Sequence, residues 1–198
     1  MARKVIFIHT VLSVAALFDE LAAEILPEDV EVFHLGDDML AKIVVKQGGL
    51  SPFLYRRLAE HVTAAEQAGM DAVQVTCSSL SPCVDAARAL VSIPVLKIDE
   101  AMVDAALSLG QRIGIAATAA TALQPTADLV AVRAAETGKQ VRVEPAWCEG
   151  AYEALFAGDH QQHDRIVQHT IMELMARNDV ILLAQSSMVR AIASMSSE

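Results

Sequence analysis

The sequence predicts an α/β chain of two pseudo-symmetric halves, each a parallel sheet flanked by helices, with an active site in the cleft between them. Two observations predict this. Short apolar runs rich in Val, Ile and Leu alternate with amphipathic helical patterns, the signature of strands buried on both faces and joined by helical crossovers. The chain also repeats itself. Asp71-Ala-Val-Gln-Val-Thr-Cys-Ser-Ser79 aligns with Asp179-Val-Ile-Leu-Leu-Ala-Gln-Ser-Ser187, and Lys4-Val-Ile-Phe-Ile-His-Thr10 with Arg112-Ile-Gly-Ile-Ala-Ala-Thr118, both at an offset of 108 positions. A third pair, Val30-Glu-Val-Phe33 and Val141-Arg-Val-Glu144, falls within a few residues of that shift. Two strand pairs at one offset point to a duplicated unit.

Composition agrees with a folded enzyme-sized chain. It has 198 residues, 54% of them hydrophobic and 20% charged, enough to bury a core as one large or two small domains. The net charge of -10 repels phosphate backbones, so nucleic acid is not an expected partner. The three cysteines form no CxxC pair and are odd in number, which argues against a disulfide framework and for a reducing, cytoplasmic setting.

Each half reads as strand, helix, strand, helix, strand, helix. Val5 to Ile8 opens the first half. Its basic start and apolar run also fit a leader peptide, but His9 and Thr10 interrupt the run and no small-residue cleavage site follows, so a strand and then a helix through Ala23 are expected. Nothing else is apolar and long enough to span a membrane. Helical patterns over Leu58 to Gly69 and Asp164 to Arg177 end at Gly69 and Asn178, suitable C-terminal residues. Ser81 and Pro82 read as N-cap and first helical position. Ile93 to Ile98 supplies a further strand, and Asp99 to Leu109 is expected to bridge the halves. The expected organisation is thus 1–98 and 99–187, with 188–198 a C-terminal helix returning toward the first half.

In open parallel sheets ligands sit beyond the carboxyl ends of the strands. That rule selects His9 and Thr10, Cys77, Ser78 and Ser79, Thr118, Ala119 and Thr121, and Gln185, Ser186 and Ser187. Cys77 follows a strand and precedes a helix, where N–H groups favour a substrate carboxylate or a thiolate. Such a setting lowers a thiol pKa toward neutrality. A buried structural cysteine fits the same position. His9 fits either a proton-transfer group or a histidine satisfied at a strand end. The hydroxyls fit carboxylate binding and ordinary capping alike. Cys83 and Cys148 read as packing. The histidines of Asp159 to Asp164 read as a solvated helix start rather than a metal site. Lys46 to Leu50 reads as a flap or a plain loop.

Val75-Thr76-Cys77-Ser78-Ser79, Ile113 to Thr121 and Asp179 to Ser187, taken in order over nearly the whole chain, resemble the aspartate/glutamate racemase superfamily. The resemblance implies two such halves, each with a cysteine after its third strand, and a cofactor-independent, metal-free enzyme of amino-acid metabolism acting at the α carbon of a small carboxylate. It assigns catalysis to Cys77, with Thr10, Ser78, Ser79, Thr118, Ala119, Thr121, Ser186 and Ser187 around the substrate. The sequence departs from the pattern at Gln185, which stands where the second cysteine belongs. An amide neither takes nor gives a proton at working pH, so the two-thiol racemase scheme is not available in its usual form. One-thiol chemistry then suggests an isomerase, or a lyase such as the single-cysteine decarboxylases of the superfamily, with His9 a possible supplementary acid. The competing expectation is a degenerate relative that binds a small carboxylate without turnover. Relatives continue with a further strand and helix, so a homodimer or higher homo-oligomer is also expected.

Overall fold

The structure is a computed structural model and describes residues 2–195. It divides into two compact units, the first ending at Ile98 and the second starting at Asp99.

Unit 1 runs β1 (Arg3–His9), a 3-10 turn (Leu12–Val14), α1 (Ala15–Ile25), β2 (Val30–Gly36), α2 (Asp38–Gln47), α3 (Pro52–Gln67), β3 (Ala72–Val75), a 3-10 turn (Ser78–Leu80), α4 (Ser81–Arg88) and β4 (Val95–Lys97). Its sheet has the order β2-β1-β3-β4 and every pairing is parallel. Unit 2 runs α5 (Glu100–Leu109), β5 (Arg112–Ala117), α6 (Ala120–Glu136), β6 (Arg142–Trp147), α7 (Ala151–Phe156), α8 (His160–Met175), β7 (Val180–Leu183), a 3-10 turn (Ser186–Met188) and α9 (Val189–Met195). Its sheet, β6-β5-β7, is parallel as well. Two parallel sheets with flanking helices are the predicted fold class.

The repeat extends to individual hydrogen bonds. Asp71 donates its N–H to the Lys4 carbonyl (2.7 Å) and its carboxylate accepts the Lys4 N–H (2.6 Å). Asp179 does the same with Arg112 (2.8 Å each way). At the other strand ends, Thr76 N–H reaches the Ile8 carbonyl (3.0 Å) and Ala184 N–H reaches Ala116 (2.9 Å). The conserved offset therefore preserves strand register, and with it the face each side chain occupies. On one face of unit 1, Ile6, Ile8, Val73 and Val75 pack with Leu40, Leu54, Leu58, Val62 and Val84 of the helices. The corresponding face of unit 2 packs Ala116, Ile181 and Leu183 against Val167, Ile171, Leu174 and Met188. Gly114 is the repeat mate of Ile6; a Cβ there would lie 2.7 Å from Ile181 Cδ1, so the larger Ile181 opposite it replaces the volume that Ile6 supplies in unit 1.

Several expectations are corrected. The crossover from the second to the third strand is a helix pair in both units, because Gly48 (φ 67°) and Gly158 (φ 80°) break the helical run in the left-handed region that glycine alone enters cheaply. Lys46 to Leu50 is that break: Gly49 N–H closes on the Val44 carbonyl (3.1 Å), and Leu50 packs on the core. The expected bridge, Asp99 to Leu109, carries α5 (Glu100–Leu109), whose Val103, Ala106 and Leu107 pack in unit 2 with Leu129 and Val130 of α6. Ser81 is the first residue of α4 rather than its cap, since the 3-10 turn winds straight into the helix and Leu80 precedes it. The expected C-terminal helix is α9; its continuation through 196–198 lies outside the described residues.

An apolar groove of about 600 Å³ follows the outer edge of β7, lined by Ile171, Met175, Asn178, Val180, Ile192 and Met195 among others. In unit 1 the matching edge of β3 is covered by β4. No helix among the described residues is long and apolar enough to cross a membrane.

Candidate active site

Of the cysteines, which are all thiols, Cys77 alone is half-buried; Cys83 and Cys148 have no exposed surface. Burial pushes the Cys83 thiol up to about 12, with a smaller push from Cys77, and burial also raises that of Cys148. Neither is a thiolate at neutral pH. Cys77 follows β3 in extended conformation (φ −138°, ψ 110°), and the chain then turns directly into the Ser78–Leu80 and α4 windings. Ser78 and Ser79 are buried beside it, as is Thr10 at the end of β1. The expected group of a thiol, two serines and a threonine thus gathers at the carboxyl ends of β1 and β3.

His9 is placed differently. Side chains alternate across a sheet, and the pairing Ile8↔Val75 sets Ile8, Val73 and Val75 on the core face that Cys77 packs against. His9 and Thr76 project from the opposite face, where His9 stacks with Phe7 and His34 and lies against Phe18. Its ring is hydrogen-bonded at both nitrogens: Nδ1 lies 3.0 Å from the Thr76 hydroxyl and Nε2 lies 2.8 Å from His34 Nδ1. Burial, reinforced by His34, lowers its pKa to about 4. Both ring nitrogens are occupied and the residue is 1% exposed. His9, expected as a supplementary acid, is thus neutral at pH 7 and lies on the face opposite Cys77.

In unit 2 the mate of Cys77 is Gln185, likewise in extended conformation (φ −134°, ψ 141°). Its side chain folds back onto β5, where Oε1 accepts both the Thr118 N–H (2.6 Å) and the Thr118 hydroxyl (3.2 Å). A backbone N–H only donates, so the atom facing it is the carbonyl oxygen and the amide nitrogen points away. The Thr118 carbonyl accepts Trp147 Nε1–H (3.2 Å) from the end of β6. Ser186 is exposed and Ser187 half-buried, in contrast to buried Ser78 and Ser79. Ala119 is extended (φ −97°, ψ 113°) ahead of α6, and Thr121 lies half-buried in its first turn.

Sequence reasoning missed two polar clusters. Buried Asp37, directly after β2, has one carboxylate oxygen bound by Arg57 Nε (2.9 Å) and His61 Nε2 (2.7 Å) of α3. Burial alone would raise its pKa, but these two bonds hold it below the usual carboxylate range. The i, i+4 spacing of Arg57 and His61 on one helix face was the available signal. His163, expected in a solvated helix start, is fully buried; its Nδ1 meets Asp164 (2.7 Å), which also binds Arg190 of α9. Asp159 does cap α8, through Gln162 N–H (2.9 Å). Among the described residues, no three His, Cys, Asp or Glu side chains cluster in a way that would hold a metal ion.

Residues 5–198 match the family model described as Asp/Glu/Hydantoin racemase. The chain belongs to that family. Solved structures of similar fold include an aspartate racemase from Picrophilus torridus (TM-score 0.71, 11% identity, covering 98% of this chain and 86% of that one). A glutamate racemase, RacE1, from Bacillus anthracis gives a TM-score of 0.69 at 13% identity, covering 97% and 71%. An allantoin racemase from Klebsiella pneumoniae gives 0.66 at 16%, covering 98% and 78%. At these identities the likeness shows the fold alone. No curated protein sequence matches. Family membership supports racemase-like, isomerase chemistry, and neither the family nor these neighbours supports the lyase alternative.

Proposed function

We propose that this chain is a cofactor-independent isomerase acting at the α carbon of a small carboxylate, with Cys77 as its one acid/base thiol. The observation that carries this reading is the contrast among the cysteines: Cys77 has solvent access at a strand end, and the other two are sealed in packed cores. The neighbouring backbone N–H groups of Ser78 and Ser79, at the head of the Ser78–Leu80 and α4 windings, favour negative charge. That setting serves a thiolate and a substrate carboxylate equally.

In the proposed reaction the Cys77 thiolate takes the α proton. The electron pair left on carbon delocalises into the carboxylate, which the serine and threonine donors hold, so these donors act where charge develops. The proton that returns on the opposite face comes from water, because the amide of Gln185 has none to give. A slower isomerase than a two-thiol enzyme follows.

The test is exchange of the α hydrogen in deuterium oxide, followed by NMR over a panel of small amino, hydroxy and dicarboxylic acids. Exchange with the wild type that disappears in Cys77→Ser supports the proposal. Exchange that persists in the variant refutes the role of Cys77. Gln185 in place of a second thiol favours a second reading, a relative that binds a small carboxylate without turnover, since an amide cannot exchange a proton at working pH. Ligand-induced melting shifts with no exchange on any acid would select that reading.

A further inference from the structure

We propose that the hydrogen-bonded chain Thr76–His9–His34 is a positioning device for Cys77, in which His9 acts through the Thr76 hydroxyl to fix the strand end that carries the thiol. This deepens the chemistry proposed above and rests on Cys77 as the working residue.

The two units build these strand ends on the same backbone frame. Thr76 N–H reaches the Ile8 carbonyl (3.0 Å) where Ala184 N–H reaches Ala116 (2.9 Å). Asp37 N–H reaches the His9 carbonyl (2.8 Å) where Cys148 N–H reaches Ala117 (2.8 Å). The side chains on that frame differ. At the offset of 108, His9 and Thr76 correspond to Ala117 and Ala184. His34, paired with Phe7, corresponds to Pro145, paired with Ile115. Unit 2 thus closes the same strand ends with two buried alanines packed among apolar side chains. The fold does not require a polar chain there, and burying one has a desolvation cost that only its internal hydrogen bonds offset. The polar chain stands in the unit that carries the thiol, and apolar residues replace it in the unit that carries Gln185.

What the chain holds is the residue before Cys77. The Thr76 hydroxyl lies 3.0 Å from His9 Nδ1 and 3.2 Å from the Ile8 carbonyl, in addition to the backbone bond. His9 is itself clamped, with Nε2 2.8 Å from His34 Nδ1 and its ring against Phe7 and Phe18. His34 Nε2 stands 3.5 Å from Asp19, so the chain runs from β3 through β1 and β2 to α1. His9 and Thr76 face away from Cys77, so they position the thiol without touching substrate. Cys77 follows in extended conformation, and its carbonyl accepts the Leu80 N–H (3.2 Å) of the 3-10 turn. Without the hydroxyl bond the strand is freed at the last residue before the thiol, and the sulfur shifts relative to the N–H groups of the turn that favour its anion. A misplacement of about 1 Å costs on the order of a hundredfold in rate.

The experiment measures iodoacetamide labelling of each cysteine in the full chain between about pH 7 and 10, by peptide mass mapping. Thr76→Val keeps the shape and the backbone N–H of the residue and loses the hydroxyl. It should raise the apparent Cys77 pKa by about one unit, a roughly tenfold smaller thiolate fraction at neutral pH. Thr76→Ser restores the hydroxyl and should return the wild-type profile. His9→Phe keeps a ring beside Phe7 and Phe18, loses Nδ1, and should shift the profile as Thr76→Val does. Cys83 and Cys148 in the same samples report opening of the cores, so a variant that only loosens the fold speeds all three thiols and leaves the Cys77 pKa in place. On any acid whose α hydrogen the wild type exchanges, Thr76→Val should lower kcat with KM nearly unchanged. A Cys77 profile that overlays the wild type in whichever of Thr76→Val and His9→Phe folds, no recovery in Thr76→Ser, or a Cys77 change seen only together with Cys83 and Cys148 overturns the proposal. Labelling needs no turnover, so absence of exchange on every acid would remove the isomerase reading while the positioning role is still decided by the pH profiles.

Discussion

Acid should destabilise this protein through His9, at a pH above that at which Asp37 and Asp164 take up a proton. Unfolded, the imidazole binds its proton near the ordinary value of 6.5; folded, it does so only at about 4, because it is buried against His34. Burial makes the charged imidazolium costly, and the His34 ring 2.8 Å away adds to that cost. Between the two pKa values the unfolded chain binds the extra proton, so the His9 contribution is fully present above pH 6.5 and lost as pH falls to about 4. A gap of about 2.5 units corresponds to about 3 kcal/mol. That is a large part of the typical 5–15 kcal/mol stability of a domain, roughly speaking. Asp37 and Asp164, held below the usual carboxylate value of 3.8, give up their stabilisation only under this window. The assay is urea unfolding followed by far-UV circular dichroism at pH 7.5 and pH 4.5, for the wild type and for His9→Gln, whose side chain does not titrate. The wild type should lose about 2.5 kcal/mol more than the variant over that range. Parallel pH profiles for the two proteins, or a His9 ring titrating near 6.5 by NMR, would refute the reasoning.

Other outcomes follow from the same geometry. Iodoacetamide at neutral pH should label Cys77 well ahead of Cys83 and Cys148 in the native protein, as read by peptide mass mapping; early labelling of either buried thiol contradicts the burial argument. Gln185→Ala should cost about 1–3 kcal/mol in urea unfolding by leaving the Thr118 N–H without its acceptor, and Gln185→Glu should cost less because it retains one. Gly114→Ala should destabilise by about 1–3 kcal/mol, since the added methyl meets Ile181 Cδ1, and Ile181→Val should recover most of that loss in the double variant.

The repeat made much of the fold legible without coordinates. Strands buried on both faces need unbroken Val, Ile and Leu runs, and Asp71 and Asp179 mark strand starts because a carboxylate there accepts the N–H of the neighbouring strand. The same offset placed Cys77 and Gln185 at equivalent turns, and both are extended ahead of a 3-10 turn. Those features are local, or repeat at fixed spacing, so composition and periodicity carry them.

What tertiary structure alone decided is the direction and partnership of the strand-end side chains. His9 and Cys77 are both strand-end residues, yet parity in the β1–β3 register sends them to opposite faces, and one residue of slip would reverse that. The ring that meets His9 Nε2 belongs to His34, 25 positions away. Gln185 read as a missing thiol until its carbonyl met Thr118, 67 positions away. Hydrogen-bond partners across strands are set by register and packing together, and no window of sequence contains both members of such a pair.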